Sequence, residues 1–321
     1  MIAPLLMGGV IPVQPRPMPD AAGCPYPESA STLWVNSGRA AFECILRSLP
    51  SMPQRVWLSR FICDTVVEPL VRMQIPVARY AVDAQLRPIL PETLSPQDVL
   101  VLVNYFGLTG KAVAAAAAVA PCAVVVDATT AFYSPPLPGL PTFYSPRKFA
   151  GMADGGIAVG GHVAALALLP DTESDARTVA MMQGATDAAV QAAEDALSTP
   201  PKLMGQLTRL LVCGTPWQDF AAQRLRNYAV LHRALAPINR LLLPQQPAHA
   251  PMCYPLVSGI PGLRDFLIDA GVRLPLYWPE VVEATDAADT ENRLARTMLP
   301  LPLDQRYTEA DMQHLVELIL A

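Results

Sequence analysis

The run Val99-Leu100-Val101-Leu102-Val103 is apolar at every position, with no alternation between two faces. A strand of that kind needs cover on both sides, as a central strand of a parallel sheet has. A second run, Ala123-Val124-Val125-Val126, ends at Asp127. Between them, residues 109–119 read as an Ala-rich helix. Strand and helix in alternation predict an α/β fold with a doubly wound, mostly parallel sheet. The longest apolar stretch, Ala112 to Val126, is broken by Pro121 and bounded by Lys111 and Asp127. It is too short to span a bilayer, so no membrane partner is expected.

The alternation extends in both directions. Leu33-Trp34-Val35-Asn36-Ser37-Gly38 leads into apolar residues at 41, 42, 45 and 46, so a Ser-Gly turn opens a helix. Short apolar runs at Arg55–Leu58 and Val77–Ala81 precede the central pair, and Ile157–Val159 follows Gly155-Gly156. Residues 174–198 and 216–243 read as helices. From about Cys253 a second αβ unit begins, with a helix near 261–271, a strand Val272–Leu276 and a final helix 308–320. Thr308 is the expected N-cap of that last helix, with Asp311 three positions on. Prolines 12, 15, 17, 19, 25 and 27 make residues 1–32 an extended arm, and those between Pro135 and Pro146 mark a loop. The expected division is an arm (1–32), a large domain (33–240) and a smaller C-terminal αβ domain (241–321).

Composition narrows the class. Of 321 residues, 52% are hydrophobic and 16% charged, which suits a well-buried globular enzyme rather than a disordered chain. The net charge is −5 and no basic stripe occurs, so no nucleic-acid partner is expected. Cys24, Cys44, Cys63, Cys122, Cys213 and Cys253 form no CxxC pair, and the four histidines have no metal spacing. Reduced, buried thiols and a cytoplasmic location are expected, with no metal. The N-terminus lacks a basic region before its apolar start and does not read as a signal peptide. No GxGxxG, Walker A or GxSxG pattern is present; Gly107–Ala112 has the wrong spacing for a phosphate loop.

Three pieces carry chemistry. Ser37-Gly38-Arg39-Ala40 lies at a helix N-terminus, where free backbone N–H groups can hold a phosphate. Asp127 closes a buried strand, and ligands gather at the carboxyl ends of strands in such sheets. Ser145-Pro146-Arg147-Lys148-Phe149 precedes Asp154-Gly155-Gly156 and a strand, which suggests backbone packed tightly around something. Each alone reads as an ordinary cap, turn or solvated lysine.

Their order resembles the fold-type-I pyridoxal-phosphate (PLP) enzymes of the aspartate-aminotransferase type, in particular the DegT/DnrJ/EryC1/StrS aminotransferase-like family. Asn36–Ala41 looks like the family's phosphate turn, and Val103-Asn104-Tyr105-Phe106-Gly107 like its strand ending in an aromatic and Gly. Val125–Thr129 resembles the strand-Asp motif, and Ser145–Lys148 with Asp154–Gly156 the lysine and diglycine. Leu299–Pro302 with Asp304–Tyr307 resembles the Leu-Pro segment before the last helix. The resemblance implies that Lys148 forms a Schiff base with PLP and that Asp127 meets the pyridine nitrogen. Ser37, Gly38, Arg39, Ala40 and Ser145 would hold the phosphate, and Phe61 or Tyr105 would stack on the ring. Thr130 stands where members often carry Gln, and Phe143 where they carry Ser. Family dehydratases have His in place of the lysine.

The reading that follows is an aminotransferase moving an amino group from an amino-acid donor to a keto or aldehyde acceptor, a nucleotide sugar or a biosynthetic small molecule. A desolvated lysine favours the neutral amine that such work needs. Arg147, Arg306 and Asn227 are candidates for contact with a substrate acid or a neighbouring subunit's cofactor, and the resemblance implies a homodimer. Alternatives are other PLP chemistry, such as a lyase or racemase, and a catalytically inactive scaffold of the same fold.

Overall fold

The computed structural model describes residues 7–9, 11, 23–183, 192–197 and 200–321. Its strands are β1 (Met7–Gly8), β2 (Thr32–Val35), β3 (Arg55–Ser59), β4 (Val77–Val82), β5 (Pro88–Ile89), β6 (Asp98–Val103), β7 (Ala123–Asp127), β8 (Thr142–Tyr144), β9 (Gly156–Val159), β10 (Tyr254–Leu256), β11 (Val272–Arg273) and β12 (Leu299–Leu301). Eight of them form one sheet in the order β2-β9-β8-β7-β6-β3-β4-β5. The pairs β4–β3, β3–β6, β6–β7 and β7–β8 are parallel. β9 runs antiparallel between β8 and β2, which brings β2 parallel to the central block.

Alternation along the strands divides the sheet's two faces, because successive side chains point to opposite sides. Leu33, Val35, Phe143 and Ala158 enter one core with the helix Gly38–Arg47 and the fully buried β6. Trp34, Tyr144 and Ile157 enter the other, with Phe132, Phe149, Trp217 and Phe220. A third cluster joins the far half of the helix Trp217–Leu235 to β10, β12 and the helix Glu309–Leu320. That last helix begins as expected: Thr308 accepts from Asp311 N, and Asp311 accepts from Thr308 N at 2.8 Å.

Several local expectations shift. The helix expected over 216–243 ends at Leu235, since Pro237 cannot donate to a continuing helix. The reading over 174–198 is helical at Ser174–Gln183 and within 192–197; residues 184–191 and 198 lie outside the described residues. The strand expected at Val272–Leu276 is only Val272–Arg273, because Pro275 closes it. β11 pairs with β1, so Met7–Gly8, within the stretch expected to be an arm, forms a parallel strand pair with Val272–Arg273. The arm's remaining expected stretch, 1–6, 10 and 12–22, lies outside the described residues. All six cysteines are unpaired, with Cys24, Cys44 and Cys253 buried and the other three partly exposed. No helix among the described residues is long and apolar enough to cross a membrane.

Candidate active site

Asp127 is the last residue of β7 and lies beside Val103 of β6 and Phe143 of β8 in register. Lys148 follows β8 by one tight turn, Pro146–Lys148. Ser37 follows β2 and caps the helix Gly38–Arg47, its hydroxyl accepting from Ala40 N at 3.1 Å. The three pieces read from the sequence therefore meet at the carboxyl edge of the sheet, where a helix N-terminus adds its positive dipole. A cavity of about 1310 Å³ opens there, lined by Ser37, Gly38, Asp127, Thr129, Ser145 and Lys148 among others.

Thr129 organises this edge. Its backbone N–H donates to Asp127 Oδ1 at 2.8 Å, and its hydroxyl accepts from Lys148 Nζ at 3.2 Å. Burial pushes the Asp127 carboxyl up, against the pull of Lys148. Burial drives the Lys148 amine down, against the charge of Asp127. The amine thus needs less alkaline conditions to become neutral than an exposed lysine does.

The diglycine fixes how close β9 and the turn can come. A Cβ on Gly156 would lie 2.0 Å from the Ser37 carbonyl oxygen, and one on Gly38 would touch Thr129 Cγ2 at 3.3 Å. Gly155 N donates to Asn36 O at 2.8 Å. Asn36 in turn donates to Asp171, which Arg177 joins to the buried Asp154. The turn at 36–38 and the loop at 154–156 are locked together beneath the cavity.

Of the residues singled out from the sequence, Ser37, Gly38, Arg39, Asp127, Thr130, Ser145 and Lys148 line the cavity; so do Arg147 and Arg306. Ala40 does not, since its amide is spent on the helix cap. Phe61 and Tyr105 stand behind the wall, which corrects their expected place on a ring face. The Tyr105 hydroxyl donates to Phe61 O at 2.6 Å and pairs with Ser59, and both side chains are fully buried. They back Trp278, whose ring meets Phe61 edge-on at 4.6 Å. Trp278, Tyr277 and Phe143 are aromatic residues that line the cavity. The Thr130 hydroxyl accepts from Phe106 N and donates to Asn104 O, tethering the turn after β6. Asn227 is buried and donates to the carbonyls of Leu303, Asp304 and Tyr307.

Thr129, Glu194, Tyr277, Trp278 and Arg224 were not singled out for the site. The Asp-x-Thr spacing, with a carboxylate receiving the N–H two residues on, is the one local signal that points to Thr129.

Arg224, almost fully buried, donates to the carbonyls of Pro251, Met252 and Phe149 and to the Gln305 side chain. It ties Phe149, the residue after Lys148, to Pro251, Met252 and Gln305. Replacing it with Met leaves the Pro251 and Met252 carbonyls without their donor, at about 1–3 kcal/mol each. Thermal unfolding of Arg224→Met should show a clearly lowered Tm; an unchanged Tm would refute the tie.

No family model and no curated protein matches the chain. Solved structures match over most of its length. The sugar aminotransferase CalS13 from Micromonospora echinospora is 21% identical, with a TM-score of 0.61 over 90% of this chain and 86% of that one. DesV of S. venezuelae, solved in complex with a ketimine intermediate, is 15% identical, with a TM-score of 0.63 over 92% and 85%. The E. coli GDP-4-keto-6-deoxy-D-mannose-3-dehydratase, solved with bound hydrated PLP, is 12% identical, with a TM-score of 0.59 over 90% and 87%. The chain has the fold of these proteins, the α/β fold of the fold-type-I PLP enzymes expected from the sequence.

Proposed function

We propose that this chain is a PLP-dependent aminotransferase, moving an amino group from an amino-acid donor to a keto or aldehyde acceptor, with Lys148 as the anchoring amine. The observation that carries this is the shared hold of Thr129 on Asp127 and Lys148 inside a cavity that a helix N-terminus enters. The residues fit the cofactor. The Gly38 and Arg39 amides are left free by the cap for a phosphate, with Ser145 beside them. The space a Cβ would fill at Gly38 keeps that approach open.

Bound there, PLP would supply an aldehyde to capture amines and a protonated ring to withdraw electrons. The chain's own work is narrower. Asp127, desolvated and held by Thr129 N, would keep a proton on a ring nitrogen facing it. Lys148 Nζ, once neutral, would accept a proton from the substrate carbon and return it elsewhere, while the Thr129 hydroxyl holds the amine in place. The cavity exceeds the roughly 300–1,000 Å³ common for one small ligand, which leaves room for an acceptor beside the cofactor. The acceptor class, a nucleotide sugar or a biosynthetic small molecule, draws support from the sugar-acting proteins that share the fold. A homodimer working in the cytoplasm belongs to the same reading.

Titrating the purified protein with PLP tests it: a visible band should appear, and borohydride should remove it. Failure to hold PLP would leave the scaffold reading. The pH dependence has a definite sign. Because burial lowers the Lys148 pKa, half-maximal PLP uptake should fall below the ordinary lysine value of about 10.4. Asp127 opposes that lowering, so Asp127→Asn should move the midpoint lower still. A midpoint at the ordinary lysine value, or one raised by Asp127→Asn, would contradict the desolvated pair.

A further inference from the structure

Two arginines on the cavity wall converge on one carboxylate of the chain itself. Arg147, adjacent in sequence to Lys148, is ion-paired with Glu194 Oε2. Arg39 donates to the other oxygen, Oε1, at 3.3 Å and to the Glu194 backbone carbonyl at 2.8 Å. The second arm of Arg39 meets Glu68 Oε1 at 2.7 Å. Arg39, Arg147 and Glu194 all line the cavity that holds Lys148. The Arg147 Nε–H is buried with no hydrogen-bond partner among the described residues. Burial pushes the Glu194 carboxyl up, but Arg147 and Arg39 outweigh it and hold the group below the ordinary range, so it is anionic at neutral pH.

The arrangement is a planar two-oxygen anion with one oxygen on each guanidinium, the match for which arginine is suited. Glu68 meets the other arm of Arg39, and Glu194 is the carboxylate that Arg39 and Arg147 share. A substrate carboxylate can take the place of Glu194 with the same two-oxygen geometry. We propose that Arg39 and Arg147 bind the carboxylate of the amino donor, and that Glu194 occupies their fork in the free protein as an internal competitor. This rests on the aminotransferase reading and deepens it: the donor is an amino acid whose carboxylate is gripped beside Lys148. Phosphate is the poorer occupant, since Glu194 sets one oxygen of a planar pair on each guanidinium, a match that another carboxylate repeats and a tetrahedral phosphate does not.

An internal competitor makes a counterintuitive prediction. Apparent affinity falls by the fraction of molecules whose site is open, so deleting the competitor strengthens binding. A residue that only supports the structure would weaken it when removed. Glutarate, a non-reacting dicarboxylate, is titrated calorimetrically into the PLP-loaded protein, with inorganic phosphate in parallel. If the fork is open in about a tenth of molecules, Glu194→Ala should bind glutarate up to roughly tenfold tighter, and Glu194→Gln should shift the same way. Arg147→Gln should bind it about tenfold more weakly or worse, as loss of a charged hydrogen bond implies. Phosphate binding should not gain. The visible PLP band, read in every variant, separates the two readings. A band in the wild type with unchanged or weaker glutarate binding in both Glu194 variants overturns this inference alone. So does an equal gain for phosphate. No band in the wild type overturns the aminotransferase reading and the donor role with it.

Discussion

Lys148→Ala protein is expected to show no visible PLP band and to lose amino-transfer activity by at least about 10²–10⁴-fold, the range for removing a positioned proton carrier. The chain has three lysines, Lys111, Lys148 and Lys202. Lys111 is exposed on the helix Gly110–Val119, and Lys202 lies 3.8 Å from Asp171 outside the cavity lining. Neither can substitute, so the loss should be complete rather than partial. The fold should survive, because among the described residues the Lys148 side chain makes one hydrogen bond, to Thr129, and is not part of a core cluster. Circular dichroism like that of the wild type, with no band, is the expected pair of results. A persistent borohydride-sensitive band in the variant would remove Lys148 from the role.

Gly156→Ala should do the opposite, damaging the fold first. Gly156 pairs with Val35 across β9 and β2, and its added Cβ would lie 2.0 Å from Ser37 O and 2.7 Å from Gly38 N. Both neighbours are backbone, so no side-chain rotation relieves the contact. Overpacking in a closed interior costs about 1–3 kcal/mol, occasionally more, and a backbone collision belongs at the upper end. With about 2 °C of Tm per kcal/mol for a chain of this size, a fall of roughly 6 °C or more is expected. PLP binding should weaken as well, because the displaced backbone is the proposed phosphate turn. Gly139→Ala is the comparison: its φ of +77° brings torsional strain, but nothing lies within 4 Å of the added carbon. A Gly156→Ala protein as stable as the wild type would show that the turn has slack.

The parts of the fold legible in the sequence are those where one residue's neighbours along the chain decide its environment. β6 and β7 declared themselves because a strand covered on both faces has no polar positions. Asp127 stood out as the first charge after such a strand, and the Thr308–Asp311 cap as a three-residue spacing. β8 was missed because only Thr142-Phe143-Tyr144 form it, between Pro141 and Pro146, and three residues set no period. β2 was likewise too short to separate from the turn that follows it.

Site residues were legible only when a motif placed them. Phe61 and Tyr105 have the right chemistry for a ring face, but sequence does not say on which side of a wall an aromatic falls. Here the Tyr105 hydroxyl is turned inward by Ser59 and the Phe61 carbonyl, and Trp278, which reaches the cavity in its place, comes from the far C-terminal unit. Trp278 also has φ 58°, a left-handed conformation that no neighbouring residue announces. Glu194 meets Arg39 across 155 positions of chain, a separation at which no spacing rule operates.

Lys148 is the proposed anchor of PLP. The most direct measurement is to load the protein with PLP, reduce it with borohydride, digest it and locate the added mass. A single modified peptide, with the adduct on Lys148, is the expected result. An adduct confined to Lys111 or Lys202, or no adduct at all, would contradict it.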